Sequence, residues 1–140
     1  MDIVKYYKAT AKEKENILNR IKAYVSCKEE ILIAIVYGSF IRRDFFRDID
    51  LAVYTGGLIS DPLRFESMLC LELSKIAKVP VDAKVIDDAP VWFKLKILSE
   101  EIVIYEKKAE IYALYLKEVI GDHQDIEIKY KSYCKENGQN

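Results

Sequence analysis

Apolar residues return at three- and four-residue steps between Thr10 and about Cys27, at Ile17, Leu18, Ile21, Tyr24 and Val25, with Lys and Glu between them. That period makes an amphipathic helix with one stripe to bury. Lys12-Glu13-Lys14-Glu15 reads as its solvated face. Ile31 to Tyr37 (ILIAIVY) is an unbroken, β-branched run that stops at Gly38, the pattern of a central strand covered on both sides. A polar, arginine-rich connection follows, and Asp48 to Tyr54 (DIDLAVY) forms a second strand ending at Thr55-Gly56-Gly57. Ser60-Asp61-Pro62 opens a second helix, with Phe65, Leu69, Leu73 and Ile76 at helical spacing before Pro80.

Val81 to Ile86 (VDAKVI) alternates, so Val81, Ala83 and Val85 share one face and Asp82 and Lys84 the other. Asp87-Asp88-Ala89-Pro90 starts a short helix to about Leu98, and Ile102 to Tyr105 is a fourth strand before the charged turn Glu106-Lys107-Lys108. In the tail, Tyr112, Leu116, Val119, His123, Ile126, Tyr130 and Tyr133 follow steps of four and three, a helical stripe that needs a surface to cover it. Gly121 is placed to bend that helix, since glycine costs about 1 kcal/mol against alanine inside one. The order of elements predicts an α/β layer domain with a mixed β-sheet flanked by helices. No linker, repeat or low-complexity segment divides it, so residues 1–140 read as a single domain, with a core over about 10–106 and a C-terminal helical segment over about 109–134.

Composition narrows the function classes. Twenty-two basic and 23 acidic side chains leave a net charge of -1, so no overall field draws the chain to nucleic acid or an anionic membrane, and direct nucleic-acid binding is not expected. No segment approaches the roughly 20 apolar residues of a membrane span, and the first residues do not read as a signal sequence. Cys27, Cys70 and Cys134 are odd in number and widely spaced, which fits reduced thiols in a cytoplasmic protein.

Three pieces carry candidate chemistry: Gly38-Ser39 at the end of a buried strand, Asp48-x-Asp50 at the head of the next, and Asp82 inside a third. Each alone is commonplace, a turn or a solvated strand end. Together they differ, because Asp48 and Asp50 project from one face and a neighbouring strand can bring Asp82 alongside. Three like charges repel unless one takes up a proton or a hard divalent cation joins them, and Mg²⁺ suits oxygen ligands. Gly38 lets backbone approach an anion, and Ser39 offers an amide and a hydroxyl to phosphate oxygens. Arg42, Arg43 and Arg47 supply a local positive patch; Arg42 is the better phosphate candidate, while Arg43 and Arg47 read first as surface charges pairing with Asp44 and its neighbours and second as phosphate ligands.

The stretch YGSFIRRDFFRDIDLAVY, followed by PVDAKVID and ILSEEIVIYE, resembles the minimal nucleotidyltransferases of the DNA polymerase β superfamily over about residues 31–105. The resemblance implies a polymerase-β-like fold in which Gly38, Ser39 and Arg42 hold the triphosphate of ATP and Asp48, Asp50 and Asp82 bind Mg²⁺, with Asp82 also receiving the acceptor's proton. It further implies an antitoxin that transfers AMP to a tyrosine of a helical HEPN-type toxin. The connection between Ser39 and Asp48 holds eight residues, two fewer than is common in that family, and Arg43 stands where a glycine is frequent.

Two other readings stay open: an antitoxin that acts by contact alone, and transfer to a small molecule, for which a chain this short is not expected to hold the additional helical domain. A homo-oligomer is also left open. His123, alone in an apolar stripe, is expected to pack rather than to catalyse or ligate.

Overall fold

The structure is a computed structural model that describes residues 5–99 and 101–121. Four strands form the main sheet: β2 (Ile33–Tyr37), β4 (Ile49–Tyr54), β5 (Val81–Val85) and β6 (Glu101–Glu106), following a short β1 (Tyr7–Lys8) and β3 (Phe45–Phe46) that pair only with each other. The sheet order is β5-β4-β2-β6; β2 runs antiparallel to both neighbours, while β4 and β5 are parallel. A parallel pair needs a crossover, and α3 (Pro62–Ala77) supplies it. The all-apolar β2 is an inner strand buried along its whole length, as its sequence predicts.

Each face of the sheet has its own core. On one, Ile17, Ile21 and Val25 of α1 (Ala11–Ser26) and Leu69, Leu73 and Ala77 of α3 cover Ala34, Val36, Leu51 and Val53. On the other, Ile33, Ile35, Tyr37 and Ala52 lie under Ile97 of α4 (Val91–Ser99) and under Tyr115 and Val119 of a helix over 111–121. The described part of the C-terminal stripe is therefore covered by the protein's own sheet. Its buried line runs through Tyr115 and Val119, with Tyr112 and Leu116 half-buried beside it. His123, Ile126, Tyr130 and Tyr133 lie outside the described residues.

Helix ends follow their sequence signals. Thr10 and Glu13 form a reciprocal capping box on α1, and Asp61 caps α3 with Pro62 in the first turn. The expected start of α4 is wrong by four residues, because Asp87 reaches back rather than forward. Its carboxylate accepts from the Thr55 amide at 2.9 Å, the Thr55 hydroxyl at 2.8 Å and the Gly57 amide at 2.7 Å, closing the turn after β4. Edge strand β5 is guarded in a similar way. Glu66, Cys70 and Ser74, four residues apart along α3, accept from the amides of Val85 (2.7 Å), Ala83 (3.2 Å) and Val81 (2.8 Å). Those donors would otherwise offer a template for another strand.

The connection between β2 and β4 is more ordered than its charges suggest. It contains the single helical turn α2 (Ser39–Arg42) and β3, and both Phe40 and Phe46 are buried, their rings edge to face at 4.8 Å. Lys14 is not part of a solvated face. Its ammonium donates to the carbonyls of Phe40 at 2.7 Å and Arg43 at 2.6 Å and lies over the Phe40 and Phe46 rings. Among the described residues no helix is long and apolar enough to cross a membrane, and Cys27 and Cys70 are free thiols.

Asp87→Ala is expected to destabilise the protein by about 2–4 kcal/mol in urea unfolding, because buried Thr55 loses its acceptor along with the charge-assisted bonds. Thr10→Ala, at an exposed cap, should cost only about 1 kcal/mol in the same assay.

Candidate active site

Strand register decides which acidic groups meet. Tyr37 of β2 pairs with Asp50 of β4, and Asp50 pairs with Asp82 of β5, so the three side chains stand in a row on the sheet face that also carries α4. Asp48 lies just before β4, two residues from Asp50. All three carboxylates are half-buried, and Asp50 feels the other two. Burial, then Asp48 and Asp82, push the Asp50 carboxyl up to about 6, against a smaller opposing pull from Lys84 and Lys96. Burial and the same three aspartates hold the Tyr37 phenol above its usual range.

Gly38 turns the chain at the end of β2 with φ of 86°, a region that side chains rarely tolerate. A Cβ there would lie 2.6 Å from Asp50 Oδ2, so backbone and carboxylate meet at a spacing that only glycine permits. Ser39 follows at the head of α2, and Arg42 closes that turn, exposed. Gly38, Ser39, Asp48, Asp50 and Asp82 are thus gathered at one end of the sheet.

Among the described residues, no three acidic, histidine or cysteine side chains close into a ready metal cage. Asp82 Oδ2 lies 3.9 Å from Lys84 Nζ. The donor set nonetheless suits a hard divalent cation: three carboxylates from two adjacent strands, one of them already driven toward protonation by the others.

Several participants escaped the sequence reading. Lys84 and Lys96 are the cations that Asp50 senses, and Lys84 also lies over the Phe93 ring. Glu101 pairs with Tyr37 and extends the row on β6, where it accepts a hydrogen bond from the Tyr112 hydroxyl. The alternation of its strand had already placed Lys84 on the face of Asp82, and only its pull on Asp50 was missed. Glu101 and Lys96 depend on pairing and helix placement that no local pattern reveals.

A mixed sheet with a glycine-serine turn beside paired strand carboxylates defines a nucleotidyltransferase fold. The polymerase beta nucleotidyltransferase family model matches residues 19–110, and the chain belongs to that family. No curated protein matches it in sequence. Among solved structures, it is similar to an MNT antitoxin in complex with a tri-AMPylated HEPN toxin of Shewanella oneidensis, with a TM-score of 0.65 and 14% identity over 88% of this chain and 97% of the other. A toxin-antitoxin structure with AMP-PNP gives a TM-score of 0.65 and 15% identity over 84% and 97%. The MntA-HepT toxin-antitoxin gives 0.62 and 12% over 91% and 97%.

The raised Asp50 pKa has a definite sign in stability. Between the ordinary 3.8 and about 6 the folded state keeps a proton that the unfolded state has lost. The cost of the ionised carboxylate is therefore complete above pH 6, fades as pH falls through that window, and is absent below it. Asp50→Asn should stabilise the protein at pH 7.5 by about 1 kcal/mol after allowance for solvent screening, seen as a higher melting temperature, and the gain should vanish near pH 4 in a thermal-melt series.

Proposed function

We propose that this protein is an antitoxin that transfers AMP from ATP to a tyrosine hydroxyl of a HEPN-type toxin in a Mg²⁺-dependent reaction. The observation that carries the reading is the register of Asp50 against Asp82 with Gly38 closed upon it, which gathers anion-approach backbone and carboxylates at one point. The complexes of similar fold support the choice of donor and acceptor, since one contains AMP-PNP and another a tri-AMPylated HEPN toxin.

Asp48, Asp50 and Asp82 would hold the magnesium, which when bound supplies the positive charge that offsets both the carboxylates and the triphosphate. Gly38 lets the chain approach the phosphates, Ser39 donates its amide and hydroxyl to their oxygens, and Arg42 adds charge at the same turn. In the transfer, the tyrosine oxygen forms a bond to the α-phosphorus while the bridging bond to the β-phosphate breaks. Pyrophosphate leaves with the electron pair, and Asp82 receives the hydroxyl proton. The work of the chain is placement and electrostatics.

A second reading, neutralisation by contact alone, draws on the 3.9 Å approach of Asp82 to Lys84, which occupies the general base with a salt bridge. The two readings part in one experiment. With α-labelled ATP, Mg²⁺ and the cognate toxin, the wild type should label a toxin tyrosine, and Asp48→Asn with Asp50→Asn should reduce labelling at least about 100-fold and abolish neutralisation. Neutralisation that survives in the double variant, with no label in the wild type, would establish the contact mechanism instead.

A further inference from the structure

The chain holds one tryptophan, in the first turn of α4, the helix on the sheet face that carries the carboxylate row. Trp92 is 67% exposed, whereas Phe93 and Ile97 of the same helix pack into the core beneath. A single exposed apolar side chain is ordinary. What distinguishes Trp92 is the path of contacts that joins it to the site. Its ring meets that of Phe93 at 5.7 Å and 87°, and Phe93 meets Tyr37, the partner of Asp50, at 6.2 Å and 90°. Phe93 also lies under the Lys84 ammonium at 5.6 Å, and that ammonium is 3.9 Å from Asp82.

These contacts give the indole a fixed support. Phe93 is half-buried and held by Tyr37 and Lys84, so Trp92 rests against a ring that is itself anchored to the sheet. Its own π surface stays open. A braced aromatic of this kind suits a flat ring as ligand, because a planar π system can lie against it over its whole area.

We infer that Trp92, braced by Phe93, is the stacking platform for the base of the nucleoside triphosphate and sets a preference for purines over pyrimidines. The inference rests on the function proposed above for the direction in which the nucleoside lies. With the phosphates at the Gly38-Ser39 turn and the α-phosphorus beside Asp50 and Asp82, the nucleoside leads away from Ser39. Its course follows the row from β2 to β5, toward Lys84 and the first turn of α4. Stacking reads ring area and leaves the hydrogen-bonding edges unread, so adenine and guanine are accepted alike and the smaller cytosine and uracil are held less firmly.

Because Trp92 is the only indole, the emission of the full chain excited at the red edge of its absorption reports on that side chain alone. Titration with the magnesium complexes of ATP, GTP, CTP and UTP should quench it saturably, with ATP and GTP binding at least about fivefold more tightly than CTP and UTP. In calorimetry, Trp92→Ala should bind ATP at least about fivefold more weakly than the wild type and lose the purine preference, with its melting temperature unchanged because the side chain is exposed. Trp92→Phe should recover part of both, since a smaller ring still stacks. No quenching by any of the four, equal affinity for purines and pyrimidines, or ATP binding that Trp92→Ala leaves intact overturns the inference. In that last case, weaker binding of the cognate toxin by Trp92→Ala would make the indole a partner anchor instead. Trp92-dependent purine binding without AMP transfer would overturn the proposed enzymatic function and leave the platform standing. AMP transfer by Trp92→Ala with an unchanged KM for ATP would do the reverse.

Discussion

Mutual repulsion among carboxylates that the sheet does not allow to separate is the constraint around which this molecule is arranged. Asp50 is fixed opposite Asp82 by parallel pairing and faces Gly38 across the end of β2, with Asp48 only two residues away. Such a set raises the proton affinity of Asp50, the member between the other two, and draws on nearby cations, here Lys84 and Lys96. A fold selected for stability alone would place apolar or neutral residues there. Retaining the repulsion makes physical sense when the site works with a cation and a polyanion that together neutralise it.

The surrounding structure supplies rigidity where that strain is held. Two cores grip the sheet from opposite faces, so β2 and β4 cannot shift register without exposing buried side chains. Asp87 closes the turn at the far end of β4, and α3 satisfies the outward amides of β5, the strand that carries Asp82. On the other side of the site, Lys14 and the buried Phe40 and Phe46 give a charged connection the fixed shape of a small folded element. Hydrogen bonds made by side chains to backbone therefore set the positions of both halves of the site.

The elements that were legible in the sequence are those whose evidence is local. The buried run of β2, the alternation of β5, the helical period of α1 and α3 and the Asp61-Pro62 start all depend on residues within a few positions of one another. The candidate residues Gly38, Ser39, Asp48, Asp50 and Asp82 were legible for the same reason, as short motifs at strand ends. The misreadings involve partners distant in the chain. Asp87 looks like a helix cap until Thr55, 32 residues earlier, is brought to it. Lys14 looks solvated until the carbonyls of Phe40 and Arg43 arrive, 26 and 29 residues later.

Periodicity and turn chemistry by themselves determined the main strands, the two long helices and the types of residue available for phosphate and metal chemistry, because each is governed by backbone geometry repeated over a few residues. Tertiary structure alone decided the strand order β5-β4-β2-β6, the meeting of Asp50 with Asp82, the inclusion of Glu101 in that row and the pairing of β1 with β3. Those outcomes follow from burying both sheet faces at once, a requirement on the whole chain that no short stretch of it contains.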